Sequence, residues 1–299
     1  MNVIRFCMII ITSLWVIFCG TTVNATAKII HIERSIYRNI IVSDSFGTRC
    51  LRFSRQNNIE QSCISLNDPA SFLFDCNKMM MGALYLRPNP RKILIVGLGG
   101  GTLPTALMRI LPESEIHVVE LDPAMVRVAK KYFNFQPTAK VLVAEEDGRV
   151  FVKRAIKNGA KYDLIMLDAF DDKYVPGHML TQQFLQEVKS ILMPDGVLAA
   201  NTFSHFNDRY DNESVTYESV YGDFYNLKKL FQNVRIIIAK QSDLPSLWEV
   251  KENSKILEEK LRPLGIQPSW LLPFFTTDQD WDKEARVLTD QFLPKGISF

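Results

Sequence analysis

Ile93-Leu94-Ile95-Val96-Gly97-Leu98-Gly99-Gly100-Gly101 reads as an apolar strand running into a glycine turn. A helix-like segment and a second apolar run, Ile116 to Val119, then lead to Glu120. Glycine has no Cβ, so the N–H groups of such a turn and the start of the next helix can approach a ligand closely. An acid closing the following strand, about 20 residues on, is where a dinucleotide-type fold grips ribose hydroxyls. A lone G-x-G carries little weight, because glycines also serve tight strand-to-helix turns. Here strand, helix and acid agree. The stretch Ile93 to Asp122 points to a nucleoside-binding, Rossmann-like domain with Gly97, Gly99, Gly101 and Glu120 at its ligand edge.

Outward from this stretch the pattern alternates strand and helix in the manner of a parallel sheet covered on both faces. Strands are expected at Ile93 to Gly97, Ile116 to Glu120, Val141 to Ala144, Leu164 to Leu167, Val197 to Asn201 and Val234 to Ala239. Asp122 before Pro123, and Thr181 before the Phe184 to Leu192 segment, read as helix N-caps. Functional residues in such sheets gather at the carboxyl ends of strands. That rule selects Gly97 to Gly101, Glu120, Asp147-Gly148 and Asp168 to Asp171. The close spacing of Asp168 and Asp171 makes an acidic pocket suited to a cation. Upstream, Ile29 to Leu66 shows short β-branched and aromatic runs broken by turn residues, the mark of a small antiparallel sheet. Asp68-Pro69-Ala70 is expected to open a helix that runs through Met79, Met80, Met81 and Leu84 and stops at Pro88 and Pro90. The expected organisation is thus a targeting segment (1–25), a small β region with a helix (26–87) and the Rossmann-like domain (88–299).

The 299 residues are 47% hydrophobic, ample for a core, and the formal net charge of +2 gives no footing for a nucleic-acid partner. Arg5 precedes an almost unbroken apolar run from Phe6 to Cys19, followed by small and polar residues up to Ala25. This describes a secretory signal peptide cut after Ala25, with an uncleaved anchor spanning residues 6–23 as the alternative. Either way the chain is expected to be exported, in the periplasm or on the inner membrane. Outside that segment the cysteines are Cys50, Cys63 and Cys76. Cys50 and Cys63 lie symmetrically about the turn Arg55-Gln56-Asn57-Asn58, so a cross-strand disulfide and two buried thiols both remain open. No Cys/His spacing points to a metal, and His31, His117, His178 and His205 are scattered.

Pro88-Asn89-Pro90-Arg91-Lys92, Val119-Glu120-Leu121-Asp122-Pro123, Asp147-Gly148 and the run Tyr162 to Asp171 carry a family resemblance. The region from about Tyr37 to Ser204 resembles the spermidine synthase (polyamine aminopropyltransferase) superfamily. It is most similar to the bacterial spermidine synthase-like branch with a G-L-G-G-G loop, and Ala285 to Asp290 is similar to a segment common there. The resemblance implies a class I S-adenosylmethionine-dependent methyltransferase-type fold. It implies aminopropyl transfer from decarboxylated S-adenosylmethionine to a putrescine-like amine, without a metal. An amine near pKa 10 is mostly protonated at neutral pH, so the site needs a carboxylate to take its proton. By resemblance Asp168 is that base, Asp171 binds the far end of the amine, Glu120 holds the ribose, and Asp147 with Gly148 addresses adenine.

Four positions depart from the family pattern. Gly100 stands where the family has an aspartate for the donor's amino group, Arg38 replaces a glutamine, and Asp75-Cys76 replaces a Tyr-Gln pair. A lost carboxylate and a gained arginine favour a donor that keeps its own carboxylate, S-adenosylmethionine itself, unless Asp75 supplies a replacement acid. The alternatives are therefore a methyltransferase on the same scaffold and a non-catalytic module that binds a nucleoside or polyamine. A small-molecule amine is the expected partner, with membrane association through residues 6–23 and a homodimer left open. Adenosyl donors are made in the cytoplasm, which stands against the export reading.

Overall fold

The apolar run Ile93-Leu94-Ile95 has no solvent exposure on either face, and this is why it is continuous rather than alternating. It is the centre of β5 (Lys92–Val96), the middle strand of the main sheet, in a computed structural model that describes residues 27–55, 59–170, 175–203, 209–229 and 232–293. The other strands of this sheet are β6 (Glu115–Glu120), β7 (Val141–Glu145), β8 (Tyr162–Leu167), β9 (Leu192–Thr202), β10 (Tyr225–Lys229) and β11 (Val234–Lys240). Their order is β10-β11-β9-β8-β5-β6-β7. From β9 to β7 all pairings are parallel, and β11 runs antiparallel to both β9 and β10.

One face of the sheet, with Ile93, Ile95, Ile116, Val118, Leu164 and Met166, packs on α1 (Asp75–Met80), α2 (Ala83–Leu86), α3 (Thr102–Ile110) and α8 (Leu247–Leu261). The other face, with Leu94, Val96, Val119 and Ile165, packs on α5 (Gly148–Lys157), α6 (Gln182–Ser190) and α7 (Tyr210–Tyr221). The expected caps are present: the Asp122 side chain accepts from Ala124 N at 2.9 Å at the start of α4 (Pro123–Tyr132), and Thr181 accepts from Phe184 N at 3.2 Å. Asp163 explains two of the quoted motifs together. Its carboxylate accepts from Arg91 N and Lys92 N, both at 2.9 Å, and from Arg87 Nη2 at 2.7 Å, tying the Pro-Asn-Pro-Arg-Lys turn to β8.

The small antiparallel sheet expected between Ile29 and Leu66 is present as β1 (Lys28–Arg34), β2 (Asn39–Ser45), β3 (Thr48–Arg52) and β4 (Glu60–Ser65), in sequential order. Its Ile40, Val42, Leu51 and Ile64 pack against Ala124, Met125 and Val128 of α4 and against Phe133. The sheet is thereby held over the edge where the glycine loop lies. Cys50 and Cys63 are direct partners across β3 and β4 and form a disulfide, which decides between the two states left open above.

Three readings need correction. The helix does not open at Asp68: the chain turns there, Phe72 N donates to the Leu264 carbonyl at 3.1 Å, and α1 begins only at Asp75. The strand at Val234 is not parallel, because β10 supplies the parallel edge and β11 turns back between β10 and β9. β10 itself escapes an apolar-run criterion, since its sequence is Tyr-Asn-Leu-Lys-Lys. The targeting segment 1–25 and Asp171 lie outside the described residues, among which no helix is long and apolar enough to cross a membrane.

Candidate active site

Gly97 directly follows β5 with φ +103°, and a Cβ there would stand 2.2 Å from the carbonyl oxygen of Asp168. Only glycine lets the two chains pass at this distance. Gly97 N donates to the Val119 carbonyl and Asp168 N to the Val96 carbonyl, both at 2.8 Å, so the ends of β6, β5 and β8 are pinned side by side. Around them opens a cleft of about 420 Å³ lined by Gly97, Gly99, Glu120, Asp147, Gly148 and Asp168. Gly101 is not among its lining residues. It is the left-handed N-cap of α3, packed against Phe135.

Glu120 is gripped from both sides: Oε2 accepts from Leu98 N at 3.0 Å and Oε1 from Asp122 N at 2.9 Å. Burial pushes its carboxyl above the usual range, opposed by these two backbone donors and by the charge of Arg38. Asp147 caps α5, its Oδ1 accepting from Arg149 N at 2.9 Å and Val150 N at 3.0 Å, while Oδ2 lies 2.9 Å from His178 Nε2. The bond to His178 is the chief reason its carboxyl is held below the ordinary value, against the effect of burial. Asp168 is the opposite case. Burial pushes it up to about 6, opposed among the described residues by one hydrogen bond from Asn201 Nδ2 at 2.8 Å.

The departures from the family pattern resolve differently from their sequence reading. Asp75 does not join the lining of the cleft; its carboxylate forms ion pairs with Lys229 and with Lys78, the latter at 3.5 Å. Phe74, Cys76 and Asn77 line that wall instead, and the Cys76 thiol is pushed up to about 12 by burial and by neighbouring Asp168, hence neutral. A Cβ on Gly100 would stand 2.6 Å from Ser62 Oγ and 2.9 Å from the Phe133 ring, so β4 and Phe133 already occupy the space an aspartate would need. Arg38 stacks its guanidinium 4.4 Å from the Phe53 ring centroid, donates from Nη1 to the Phe170 carbonyl at 3.0 Å and acts electrostatically on Glu120. Asn201, His178 and Gln61 also line the cleft without having been singled out in the sequence. Asn201 lies near the carboxyl end of β9, where the strand-end rule applied to that strand finds it. The other two come from a loop and from the second sheet, for which no such rule exists.

Residues 74–243 match the spermine/spermidine synthase domain. The chain belongs to the spermine/spermidine synthase family. A polyamine aminopropyltransferase of Vibrio vulnificus is 40% identical over 274 residues, 91% of either chain. Among solved structures, a probable spermidine synthase from Corynebacterium glutamicum superposes with a TM-score of 0.66 at 18% identity, covering 89% of this chain and 97% of that one. Human methyltransferase-like protein 13 in complex with SAH gives 0.55 at 27% identity, covering 73% and 96%. These bear out the resemblance and the Rossmann-like, methyltransferase-type fold. In this spermidine synthase-family cleft Glu120 and Asp147 are carboxylates fixed by backbone donors, and Asp168 is a carboxyl pushed up to about 6 by burial, chemically able to take up a proton.

Proposed function

We propose that the protein is a polyamine aminopropyltransferase. Its donor is decarboxylated S-adenosylmethionine and its acceptor a putrescine-like diamine. The amine lone pair attacks the aminopropyl carbon beside the sulfonium, the carbon–sulfur bond breaks with its electron pair going to sulfur, and the amine's proton passes to Asp168. The products are methylthioadenosine and the lengthened polyamine. Glu120 accepts from the ribose hydroxyls, and Asp147 with Gly148 addresses adenine. Asp171, outside the described residues, is assigned to the far end of the amine by the family resemblance.

The observation that carries this reading is Asp168, a buried carboxyl at the end of β8, pushed up to about 6 by that burial and set in the same cleft as Glu120. The Vibrio relative favours aminopropyl over methyl transfer as the reaction. The test is incubation of the purified full chain with putrescine and either decarboxylated S-adenosylmethionine or S-adenosylmethionine, with products followed by mass spectrometry. Spermidine and methylthioadenosine from the decarboxylated donor are expected. A methylated amine from S-adenosylmethionine, or no product from either, overturns the proposal.

We further propose that residues 1–25 direct export, a reading supported by the Cys50–Cys63 disulfide, since such bonds persist in oxidising compartments. Protein recovered from a bacterial envelope is expected to begin at Thr26. An intact N-terminus on soluble cytoplasmic protein overturns this.

A further inference from the structure

We infer that Asp290, on the C-terminal segment, is a positioning residue for the nucleobase end of the cleft, acting through Arg149 and His178. The identity of the ligand rests on the transferase reading above. Arg149 follows Gly148 at the start of α5 and is largely buried. A guanidinium has five N–H donors, and here all have acceptors. Nε and Nη2 reach Glu187 at 2.8 and 2.9 Å, Nη1 and Nη2 reach the two oxygens of Asp290 at 2.7 Å each, and Nη1 also donates to the His178 carbonyl at 3.2 Å. That fifth bond fixes the backbone of the residue whose ring meets Asp147 Oδ2. The order of contact is therefore Asp290, Arg149, His178, Asp147, ending at a cleft-lining carboxylate.

Asp290 is itself tied to the loop it supports. Its Oδ1 accepts from Thr181 Oγ1 at 2.7 Å, its N–H donates to Gln183 Oε1 at 3.0 Å, and Gln182 N donates to the Leu288 carbonyl at 2.8 Å. Leu288 is fully buried against Leu180, with Val175 and Phe203 around them. Pro176, His178 and Met179 of this loop face the cleft, so the C-terminal segment backs the wall from outside. An Arg–carboxylate pair with two parallel bonds restricts orientation more than one charge near another does. Asp290→Asn keeps one acceptor and loses the second, freeing the guanidinium to turn about its pair with Glu187 and release the His178 carbonyl.

The experiment uses the full chain and Asp290→Asn, His178→Ala and the double variant, with methylthioadenosine binding followed by calorimetry and transfer kinetics in parallel. Asp290→Asn is expected to weaken methylthioadenosine binding and raise the donor KM about five- to tenfold, with kcat within about twofold. In the His178→Ala background it is expected to add less than about twofold, because both changes break the same relay. Unchanged affinity with a lowered kcat, as loss of active protein would give, overturns the inference, as does full additivity. Should Asp290→Asn fail to fold, Arg149→Lys, which keeps the charge but gives up the planar fork, carries the same expectation. Hydrogen exchange at residues 175–182 needs no ligand: it is expected to quicken in either variant while β5 and β6 stay protected, and unchanged exchange overturns the relay. A parent chain that binds no methylthioadenosine instead overturns the transferase reading.

Discussion

Asp147 and Asp168 are the same residue type at the carboxyl edge of one sheet, facing one cleft, and their surroundings drive them in opposite directions. Asp147 receives two N–H groups from the first turn of α5 and a ring nitrogen of His178, and is held as an anion. Asp168 has burial and, among the described residues, one amide, and is pushed up to about 6. Depth of burial and donor number, more than residue type or strand position, separate a carboxylate suited to holding a ligand from one suited to accepting a proton.

The strongest attack on this contrast is Asp168→Asn. Turnover is expected to fall by about 10²–10⁴, with methylthioadenosine affinity within a few-fold of the parent; a comparable loss of affinity would show that the two ends are not separate. The same variant carries a stability signature. A folded-state pKa raised from 3.8 to about 6 means that the native chain holds a proton the unfolded chain has released between those values. Stability from this group is thus full below about pH 4 and lost as pH rises through 6. Asparagine can still accept from Asn201, so the variant should gain on the order of 1–3 kcal/mol at pH 8, the lower end applying if cleft water solvates the carboxylate. The gain should vanish at pH 4, as read by urea denaturation at both values.

At the other end, Glu120→Gln leaves one of the two backbone donors, Leu98 N or Asp122 N, facing an amide that cannot accept. Methylthioadenosine binding is expected to weaken at least tenfold, about 1.4 kcal/mol, with kcat at saturation within a few-fold. Equal calorimetric affinity of variant and parent removes Glu120 from the ribose site. The smallest effect is expected at Asn201. Among the described residues its amide is the one bond lowering Asp168, so Asn201→Ala should move the acid limb of kcat/KM upward from about 6 by about one pH unit, the lower end of the worth of one hydrogen bond to a charged group. A limb that moves down or stays put means that another group controls it.

Gly97, Glu120 and Asp168 were legible because each follows from a strand and the residue that closes it, a relation contained within about 30 residues. Asp75 was not. The lysine that takes its charge is Lys229 on β10, 154 positions away, on a strand too polar to show as an apolar run. The space at Gly100 is likewise set by Ser62 from the other sheet and by Phe133 beyond α4. Local pattern identifies which side chains reach an edge, whereas the neighbours that neutralise or displace them come from distant elements. The disulfide lay between these cases: its two cysteines were visible, but only the register of β3 against β4 makes them partners.

β6 and β8 are the two hydrogen-bonded neighbours of β5, so Glu120 and Asp168 leave the sheet two strand spacings apart, roughly 10 Å. The sheet acts as a ruler. Its graduations are backbone hydrogen bonds, which side-chain substitution does not lengthen, and on the roles proposed for Glu120 and Asp168 it measures from the sugar of a bound nucleoside to the sulfur beyond it. Methyl and aminopropyl groups hang from that same sulfur. On that reading the ruler sets how far from the sugar a bond is broken and is blind to which group departs; the choice then falls to the walls around Asp168, where Cys76, Asn77 and Asn201 line the cleft.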